Sequence, residues 1–375
     1  MKNIFRKITK EIKLLSLRMI TLVADILRIS KKFESLPPKN CLIISTTGIG
    51  DAIWGTPAIR AIKEHFPGLS VCVLANENSA EIFRRNPFID KIFIFRKGIF
   101  KILSIMKELR NIHFDTVVVF HATDRIIWLT AYLTGASKLI GSKRHSKGTH
   151  FMITHPVEIP NNMHAIYARH LLIRELGVKS DLKRIELFLP YNERKRIDDF
   201  LKRKGVSRDC FLVGFQPGAA KPYKRWPEKN FIKLGKMISK IRDDIRIIIT
   251  GSKKEEELAQ RIADEFNGVS LAGKLTISET SAAIERCNLF ITNDTGPMHI
   301  AVAMGTPTIA LFSATDVEST EPYRALKTFR SISKPKPCKE CISKACMEPV
   351  CMEQITPEEV FEVAKGIIAC VNKKL

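Results

Sequence analysis

The feature of this sequence that most limits its possible folds is a repeated alternation of short apolar runs with longer amphipathic stretches. Apolar runs without polar residues at every second position indicate strands that are buried on both faces. Helices between such strands predict a parallel sheet that is covered on both sides. In the first half of the chain, strands are predicted at 41–44, 71–74, 92–95 and 116–120, and helices up to Phe66 and over 80–85 and 100–111.

The same alternation starts again in the second half, after a mixed, basic section. There the predicted strands are 211–215, 245–250, 269–271, 289–291 and 308–312, and the predicted helices are 228–241, 255–266, 278–286 and 297–304. A length of 375 residues also suits two domains. The prediction is therefore an α/β protein with two Rossmann-like domains, 37–185 and 186–375, that face a cleft. Ligands of such sheets bind outside the carboxyl ends of the strands.

Residues 1–36 stand apart and predict a basic amphipathic helix, with nine Lys or Arg residues against three acidic ones. Such a helix either lies in a membrane interface, with its bases on anionic headgroups, or packs on the body of the protein. Arg18 and Asp25 interrupt its apolar run, which argues against a signal peptide or a spanning helix, so a cytoplasmic location is expected. The apolar residues at helical spacing are Ile4, Ile8, Ile12, Leu15, Met19, Leu22, Val23, Ile26 and Ile29.

The formal net charge of +22 indicates the charge of a partner but not its chemical class. It favours acidic partners, which include phosphorylated sugars, nucleic acid and an anionic membrane surface. A hydrophobic content of 45% is that of a globular protein and excludes a disordered chain.

A glycine turn follows the first predicted strand, where Gly48 and Gly50 precede Asp51. Ile53 stands where a dinucleotide-binding fingerprint needs a third glycine, and the Gly-Lys-Ser/Thr of a phosphate-binding loop is missing. The glycines instead predict a tight turn that brings the backbone close to a ligand. Asp51 then either caps the next helix or acts on a substrate.

A second candidate segment, 293–299, follows the strand predicted at 289–291. Asp294 or Thr295 can cap the helix that starts there, and Pro297 suits its first turn. The N–H groups at the start of this helix favour a diphosphate, and His299 could donate to the same anion.

Two further loops follow predicted strands of the second half. Lys221, Lys224 and Arg225 could bind phosphate oxygens, or they are solvated while Trp226 packs in the core. Glu255 could hold ribose hydroxyls, or it is an acid placed favourably in the first turn of a helix.

Three segments together resemble the heptosyltransferases, glycosyltransferase family nine. They are Gly50-Asp51 with Thr56-Pro57 and Arg60, the Lys224-Arg225-Trp226-Pro227 segment, and Asp294-Thr295-Gly296-Pro297-Met298-His299 with Gly305 and Pro307. Their order and approximate spacing match from about residue 40 to residue 370, and the basic N-terminal segment lies outside the match.

The resemblance implies a glycosyltransferase of the B-type fold, inverting and independent of metal, with no cofactor. Asp51 would be the general base, and Lys224 would neutralise the leaving nucleoside diphosphate. The diphosphate would bind at Thr295, Gly296, Pro297 and Met298, with Asp294 and His299 shaping the site and Glu255 on the donor ribose. Gly48, Gly50 and Thr56 would form the acceptor-side loop of domain 37–185, and domain 186–375 would bind the nucleotide sugar.

The implied partners are a nucleotide-sugar donor, ADP-heptose, and a lipid-linked or lipopolysaccharide core acceptor. Peripheral membrane contact would run through residues 1–36, on the inner face of the cytoplasmic membrane, with no nucleic acid as a partner. Two other classes remain open, a nucleotide-sugar epimerase and a basic protein that binds nucleic acid or membrane surfaces.

A cysteine-rich segment, 338–351, is the last feature of the sequence. Cys338, Cys341, Cys346 and Cys351 are separated by two, four and four residues, which is not the spacing of a standard zinc ribbon. Such segments occur in part of the same family, and a structural staple is expected, by metal or by disulfide.

Overall fold

The structure is a computed structural model that describes residues 2–26, 37–122, 124–146, 148–313, 329–335, 338, 346 and 349–371. The chain divides into two compact units, Met1–Lys183 and Arg184–Leu375. Each unit contains one parallel β-sheet with helices on both faces, as the alternation of the sequence predicts.

The described residues of the first unit form six strands and six α-helices. The strands are β1 Asn40–Ser45, β2 Ser70–Ala75, β3 Lys91–Ile94, β4 Thr116–His121, β5 Lys138–Ser142 and β6 His155–Val157. The helices are α1 Lys2–Ile26, α2 Ile49–His65, α3 Glu77–Phe83, α4 Ile99–Arg110, α5 Arg125–Leu133 and α6 Ala165–Arg174.

The sheet of the first unit has the order β3-β2-β1-β4-β5-β6, with all neighbours parallel. One face carries α4 and α5, whose apolar residues form a core with alternate residues of β1, β2 and β4. Helices α2 and α6 pack on each other and contact β1, β4 and β5. The strand order reverses between β1 and β4, which is where an open α/β sheet presents a ligand crevice.

The second unit repeats this architecture. Its strands are β7 Phe211–Gln216, β8 Ile245–Ile249, β9 Val269–Ser270, β10 Leu289–Asn293, β11 Thr308–Phe312 and β12 Phe329–Ser333. Its helices are α7 Tyr191–Arg203, α8 Glu228–Ile238, α9 Glu256–Asp264, α10 Ile277–Arg286, α11 Gly296–Met304, α12 Val350–Glu353 and α13 Pro357–Val371.

The sheet of the second unit has the order β12-β11-β10-β7-β8-β9 and is again parallel throughout. Helices α8, α9 and α13 cover one face and form the main core with β7, β8, β10 and β11. Here the strand order reverses between β10 and β7, the equivalent position to that in the first sheet.

All the strands predicted from apolar runs are present, and the α/β class is confirmed. Three strands were not predicted, because their sequences lack an uninterrupted apolar run. β5 contains Gly141 and ends in Ser142, β6 contains a proline, and β12 at the edge of its sheet is mostly polar. These segments become strands because they pair with a neighbouring strand, since β-propensity depends strongly on context.

The N-terminal helix α1 packs against the first unit, where it contacts α5. The hydroxyl of Tyr132 donates to both carboxylate oxygens of Asp25, at 2.7 Å each, and the Arg18 guanidinium lies 5.3 Å from the centre of the Phe151 ring. Residues 27–36 of the predicted amphipathic segment lie outside the described residues. Among the helices that the structure describes, none combines the length and hydrophobicity that crossing a bilayer requires.

Gly141 tests how closely the first unit is packed. A Cβ at this position of β5 would stand 2.6 Å from Cη2 of Trp128. We therefore expect Gly141→Ala to displace the indole and to lower the free energy of unfolding of this unit by about 1–3 kcal/mol. Urea unfolding followed by tryptophan fluorescence measures the loss. Gly68→Ala is the matched control, because a Cβ there meets nothing within 4 Å; equal stabilities of the two variants would contradict the prediction.

Candidate functional site

The first candidate site lies where the order of the first sheet reverses. Asp51 is in the first turn of α2, directly after β1, and its side chain is 25% exposed. His121 is the last residue of the neighbouring strand β4, and His145 follows β5. We call Asp51, Arg169, His121 and His145 the Asp51 cluster.

Arg169 of α6 holds the Asp51 carboxylate. Its Nη2 donates to Oδ1 of Asp51 at 2.8 Å, its Nη1 donates to the carbonyl of Ala165 at 3.1 Å, and its guanidinium lies 5.9 Å from the centre of the Trp54 ring. The Arg169 side chain is only 6% exposed. A cation this deeply buried is costly without a partner, so the pair fixes the position of both groups.

The charges of this cluster set the protonation of Asp51. Burial raises the pKa of Asp51, but the Arg169 guanidinium and His121 outweigh burial and hold that pKa below its ordinary value. Burial, with His121, Arg144 and Arg169 nearby, lowers the pKa of His145 against the opposing effect of Asp51. Asp51 is therefore an anion at neutral pH and His145 is neutral.

Several polar atoms at this edge are buried and lack a hydrogen-bond partner in the described part of the chain. They are the hydroxyls of Ser45, Thr46 and Ser142 and the Nε of Arg169. Buried polar groups are nearly always paired, so these four are expected to bind water or the hydroxyls of a ligand.

The three residues expected to form an acceptor-side loop have different positions in the structure. Gly48 is the N-cap of α2, whereas Gly50 and Thr56 lie inside that helix. Pro57 cannot donate to the carbonyl of Ile53, and the Thr56 hydroxyl does so instead, at 2.8 Å. Thr56 is buried and supports the helix, so its place in a loop was wrongly predicted.

The second candidate site lies at the corresponding reversal in the second sheet, where Asn293 connects the end of β10 to the loop that follows β7. The side chain of Asn293, at the end of β10, accepts from the backbone N–H of Trp226 at 3.1 Å and donates to the carbonyl of Pro217 at 2.7 Å. Trp226 is buried and donates through Nε1 to the carbonyl of Ile355 at 2.8 Å. The backbone N–H and the indole N–H of Trp226 thus hold the loop 221–227 in place.

Lys224 and Asp294 are brought together at this position. The Lys224 ammonium donates to the Asp294 carboxylate, which is 5% exposed, while the Lys224 side chain is 23% exposed. An ammonium has three N–H donors, so Lys224 can keep this bond and still reach another anion. We call Lys224, Asp294 and Asn293 the Lys224 cluster.

Helix α11 begins beside this cluster. Its N-cap, Thr295, has extended backbone angles, and its side chain does not cap the helix. Gly296 and Pro297 form the first turn, followed by Met298, whose side chain packs against Ala310 and Phe312 in the core. The structure thus assigns the Met298 side chain to packing. His299 is also buried.

Glu255 is placed by a capping box. Its Oε2 accepts from the backbone N–H of Ser252 at 2.7 Å and from the Ser252 hydroxyl at 2.9 Å. Its Oε1 lies over Gly218, where a Cβ would be 1.9 Å away. The glycine after β7 therefore lets the carboxylate approach the backbone at the carboxyl edge of the sheet.

Sequence reasoning missed four residues of these clusters: Arg169, His121 and His145 in the first, and the structural role of Asn293 in the second. One signal was available for His121, because it directly follows the apolar run 116–120 at a strand end. Arg169 carried no such signal, because it lies on a helix 118 positions from Asp51.

The cysteine-rich segment is described only at residues 338, 346 and 349–351. Cys338, Cys346 and Cys351 form no disulfide among the residues described, and Cys341 lies outside them. In the part of the chain that the structure describes, no three His, Cys, Asp or Glu side chains lie together in a group that could hold a metal ion.

Comparison with known proteins identifies relatives along most of the chain. The family model described as glycosyltransferase family 9 (heptosyltransferase) matches residues 102–351. The lipopolysaccharide core heptosyltransferase OpsX of Haemophilus influenzae is 24% identical over 307 residues, which cover 81% of this chain and 87% of the relative.

Two solved structures share the fold. The glycosyltransferase family 9 protein of Veillonella parvula superposes with a TM-score of 0.75 at 22% identity, covering 88% of this chain and 97% of its own. The E. coli ADP-heptose lipopolysaccharide heptosyltransferase II superposes with a TM-score of 0.73 at 19% identity, covering 89% and 99%.

Replacing Arg169 tests the electrostatics of the Asp51 cluster. In Arg169→Met, burial acts on Asp51 without the guanidinium, so the pKa of Asp51 is expected to rise above its ordinary value of 3.8. In the wild type, the lowered pKa stabilises the fold at neutral pH, and this stability is lost as pH falls through the folded pKa. In the variant, the raised pKa destabilises the fold at neutral pH, and protonation of Asp51 relieves this cost as pH falls.

The difference in unfolding free energy between wild type and Arg169→Met should therefore shrink between pH 7 and about pH 4. Urea unfolding at a series of pH values measures it. Arg60→Met is the control, since Arg60 pairs with Glu64 on the solvent side of α2, the helix that carries Asp51, and such pairs contribute about 1 kcal/mol or less. A difference that stays constant with pH would count against the role of Arg169.

Proposed function

Because the chain belongs to glycosyltransferase family 9, the heptosyltransferases, we propose that it transfers a heptose from ADP-heptose to a lipopolysaccharide core or another acidic glycan. The chain is a glycosyltransferase with the B-type fold of its relatives. The observation that carries the proposal is the chemistry at the two strand-order reversals, an ionised carboxylate at one and a cation beside a helix N-terminus at the other.

In this proposal Asp51 is the general base. One oxygen of Asp51 takes the proton of an acceptor hydroxyl, whose oxygen attacks the anomeric carbon of the donor and forms the new glycosidic bond. The bond from that carbon to the diphosphate oxygen breaks with inversion, and ADP leaves. Asp51 suits the task because Arg169 holds its carboxylate in place and keeps it ionised against the opposing effect of burial, and a positioned base contributes roughly 10²- to 10⁴-fold in rate.

Arg169 would act on Asp51 as a positioning residue. The buried hydroxyls of Ser45, Thr46 and Ser142 would bind hydroxyls of the acceptor sugar at the same edge. This role is supported by their burial without a hydrogen-bond partner in the described part of the chain. A hydrogen bond to an acceptor hydroxyl is more favourable for a buried, unpaired group than for one already hydrated by solvent.

On the donor side, Lys224 would neutralise the charge that develops on the leaving diphosphate. The N–H groups at the start of α11, with Thr295 and Gly296, would bind the same oxygens, because a helix N-terminus attracts anions. Asp294 would hold the ammonium in position, and His299 would shape the wall behind it. With these groups in place the reaction needs no metal to stabilise the leaving group, and transition-state charge is met by preorganised donors.

Glu255 would contact the donor ribose. Its carboxylate is already oriented by Ser252 and lies over Gly218, so ribose hydroxyls could donate to it without a change of rotamer.

The acceptor would be acidic and lipid-linked, and the chain would act on the inner face of the cytoplasmic membrane. The formal charge of +22 supports an anionic acceptor and surface. Peripheral contact would run through residues 1–36, and nucleic acid would not be a partner.

Substitutions in the two clusters separate chemistry from donor binding. Asp51→Asn is expected to lower the transfer rate by roughly 10²- to 10⁴-fold and to leave the dissociation constant of ADP-heptose unchanged. Lys224→Met is expected to weaken ADP-heptose binding by about tenfold or more, because it removes a charge-assisted hydrogen bond to the diphosphate. Calorimetric titration and a transfer assay with lipopolysaccharide core measure the two effects.

Two controls make the outcome specific. Because Lys224→Met leaves the buried Asp294 without its cation, the double variant K224M/D294N is measured beside it. Lys236→Met removes an exposed lysine of the same unit that pairs with Glu265 and should change neither quantity. If no nucleotide sugar binds, or if Asp51→Asn transfers at the wild-type rate, the proposal is wrong; if ADP-heptose is converted without any acceptor into an isomeric nucleotide sugar, the enzyme is an epimerase.

A further inference from the structure

The described side chains of helix α1 form two apolar faces, and one of these faces packs against the rest of the first unit. Leu17 packs against the core cluster beneath α4 and α5, Leu14 lies over Gly148, and Thr21 and Ala24 are buried. These residues follow one another at intervals of three or four, which places them on one side of the helix. The contacts of Asp25 with Tyr132 and of Arg18 with Phe151 fix the same side.

The other apolar face points into solvent. It contains Ile12, Leu15, Met19, Ile20, Leu22 and Val23, which are all between 46% and 59% exposed. At 3.6 residues per turn these positions centre roughly opposite the packed face. A helix that is anchored to a protein and still exposes six large apolar side chains marks an interaction surface.

A second exposed apolar group lies on the same side of the first unit. Ile99, Phe100 and Leu103 form the N-terminal turns of α4 and are 63%, 84% and 58% exposed. Ile102 between them packs against the same core cluster as Leu17 of α1. Helix α5 contacts both α1 and α4, so the three helices cover one face of the sheet.

Positive charge accompanies both groups. Helix α1 contains six Lys or Arg residues against two acidic ones, and Lys97 and Lys101 flank Phe100 and are exposed. Large apolar side chains on helices that also carry basic residues complement a bilayer with anionic headgroups, where the apolar groups enter the acyl boundary and the bases meet phosphates.

We propose that the outer face of α1 and the N-terminal turns of α4 together form one docking surface for an anionic lipid bilayer. This extends the proposed function, whose acceptor is lipid-linked, by adding α4 and by naming the face of α1 that meets lipid. With α1 fixed through its inner face, docking holds the first unit and its Asp51 cluster at the membrane that contains the acceptor.

The test measures partitioning of the full chain onto sedimented vesicles of phosphatidylcholine, alone or in equal mixture with phosphatidylglycerol. The wild type should bind the mixed vesicles, and binding should weaken as salt is raised. The double variant L15S/M19S and the single variant Phe100→Ser should each weaken partitioning by about tenfold or more, since each removes apolar surface that docking on the bilayer would bury. Tyr191→Ser is the matched control, because Tyr191 is 80% exposed on α7 of the second unit.

Each other result overturns part or all of the proposal. Failure of the wild type to bind either vesicle, or wild-type partitioning by L15S/M19S, rejects the surface. Wild-type partitioning by Phe100→Ser rejects the α4 half alone. If L15S/M19S instead abolishes self-association in sedimentation velocity while vesicles remain unbound, the face is an interface between two copies of the chain.

The same preparations separate this inference from the proposed function. Vesicle binding is measured without substrate, so it does not depend on heptose transfer. Both surface variants should transfer heptose to a lipid-free core oligosaccharide at the wild-type rate and lose turnover on acceptor embedded in vesicles. If the wild type transfers no heptose to the lipid-free acceptor, the proposed function is wrong, whereas the docking surface is still supported by vesicle binding.

Discussion

Every strand in the two sheets runs parallel to its neighbours, so the carboxyl ends of each sheet lie along one edge. A strand order that starts in the middle must reverse once, and the loops that leave the two central strands diverge there and open a crevice. Asp51 and His121 stand at the reversal between β1 and β4, and Lys224 and Asp294 at the reversal between β7 and β10. Both clusters therefore depend on the same constraint of topology.

In both clusters the most deeply buried charge is paired with an opposite charge. Arg169 with Asp51 and Asp294 with Lys224 each combine one nearly buried group with one that remains partly exposed. Taking a charge out of water costs several kcal/mol, so each buried member needs its partner. The exposed member stays available to a ligand, and its orientation is fixed before the ligand arrives. Such preorganised charge is what transfer of a glycosyl group from a diphosphate would require.

Several motif residues support the backbone and do not line a site. Thr56 supplies the hydrogen bond that Pro57 cannot make within α2, and Gly218 leaves room for the Glu255 carboxylate. Asn293 joins the loop after β7 to the end of β10. Helix α1 shows the same division, because its packed and exposed faces are both apolar and only the packing tells them apart.

The α/β class, the repetition in two halves and the strand ends beside Asp51, Lys224 and Asp294 could all be predicted from the amino-acid sequence. This was possible because apolar runs and glycine turns are local signals. β5, β6 and β12 carry weak local signals and form through pairing with a neighbour. The tertiary structure alone decided that Arg169 holds Asp51, that Asp294 holds Lys224 and that the apolar stripe of α1 faces solvent. These are contacts between residues far apart in the chain, and no local pattern encodes which distant residue will meet which.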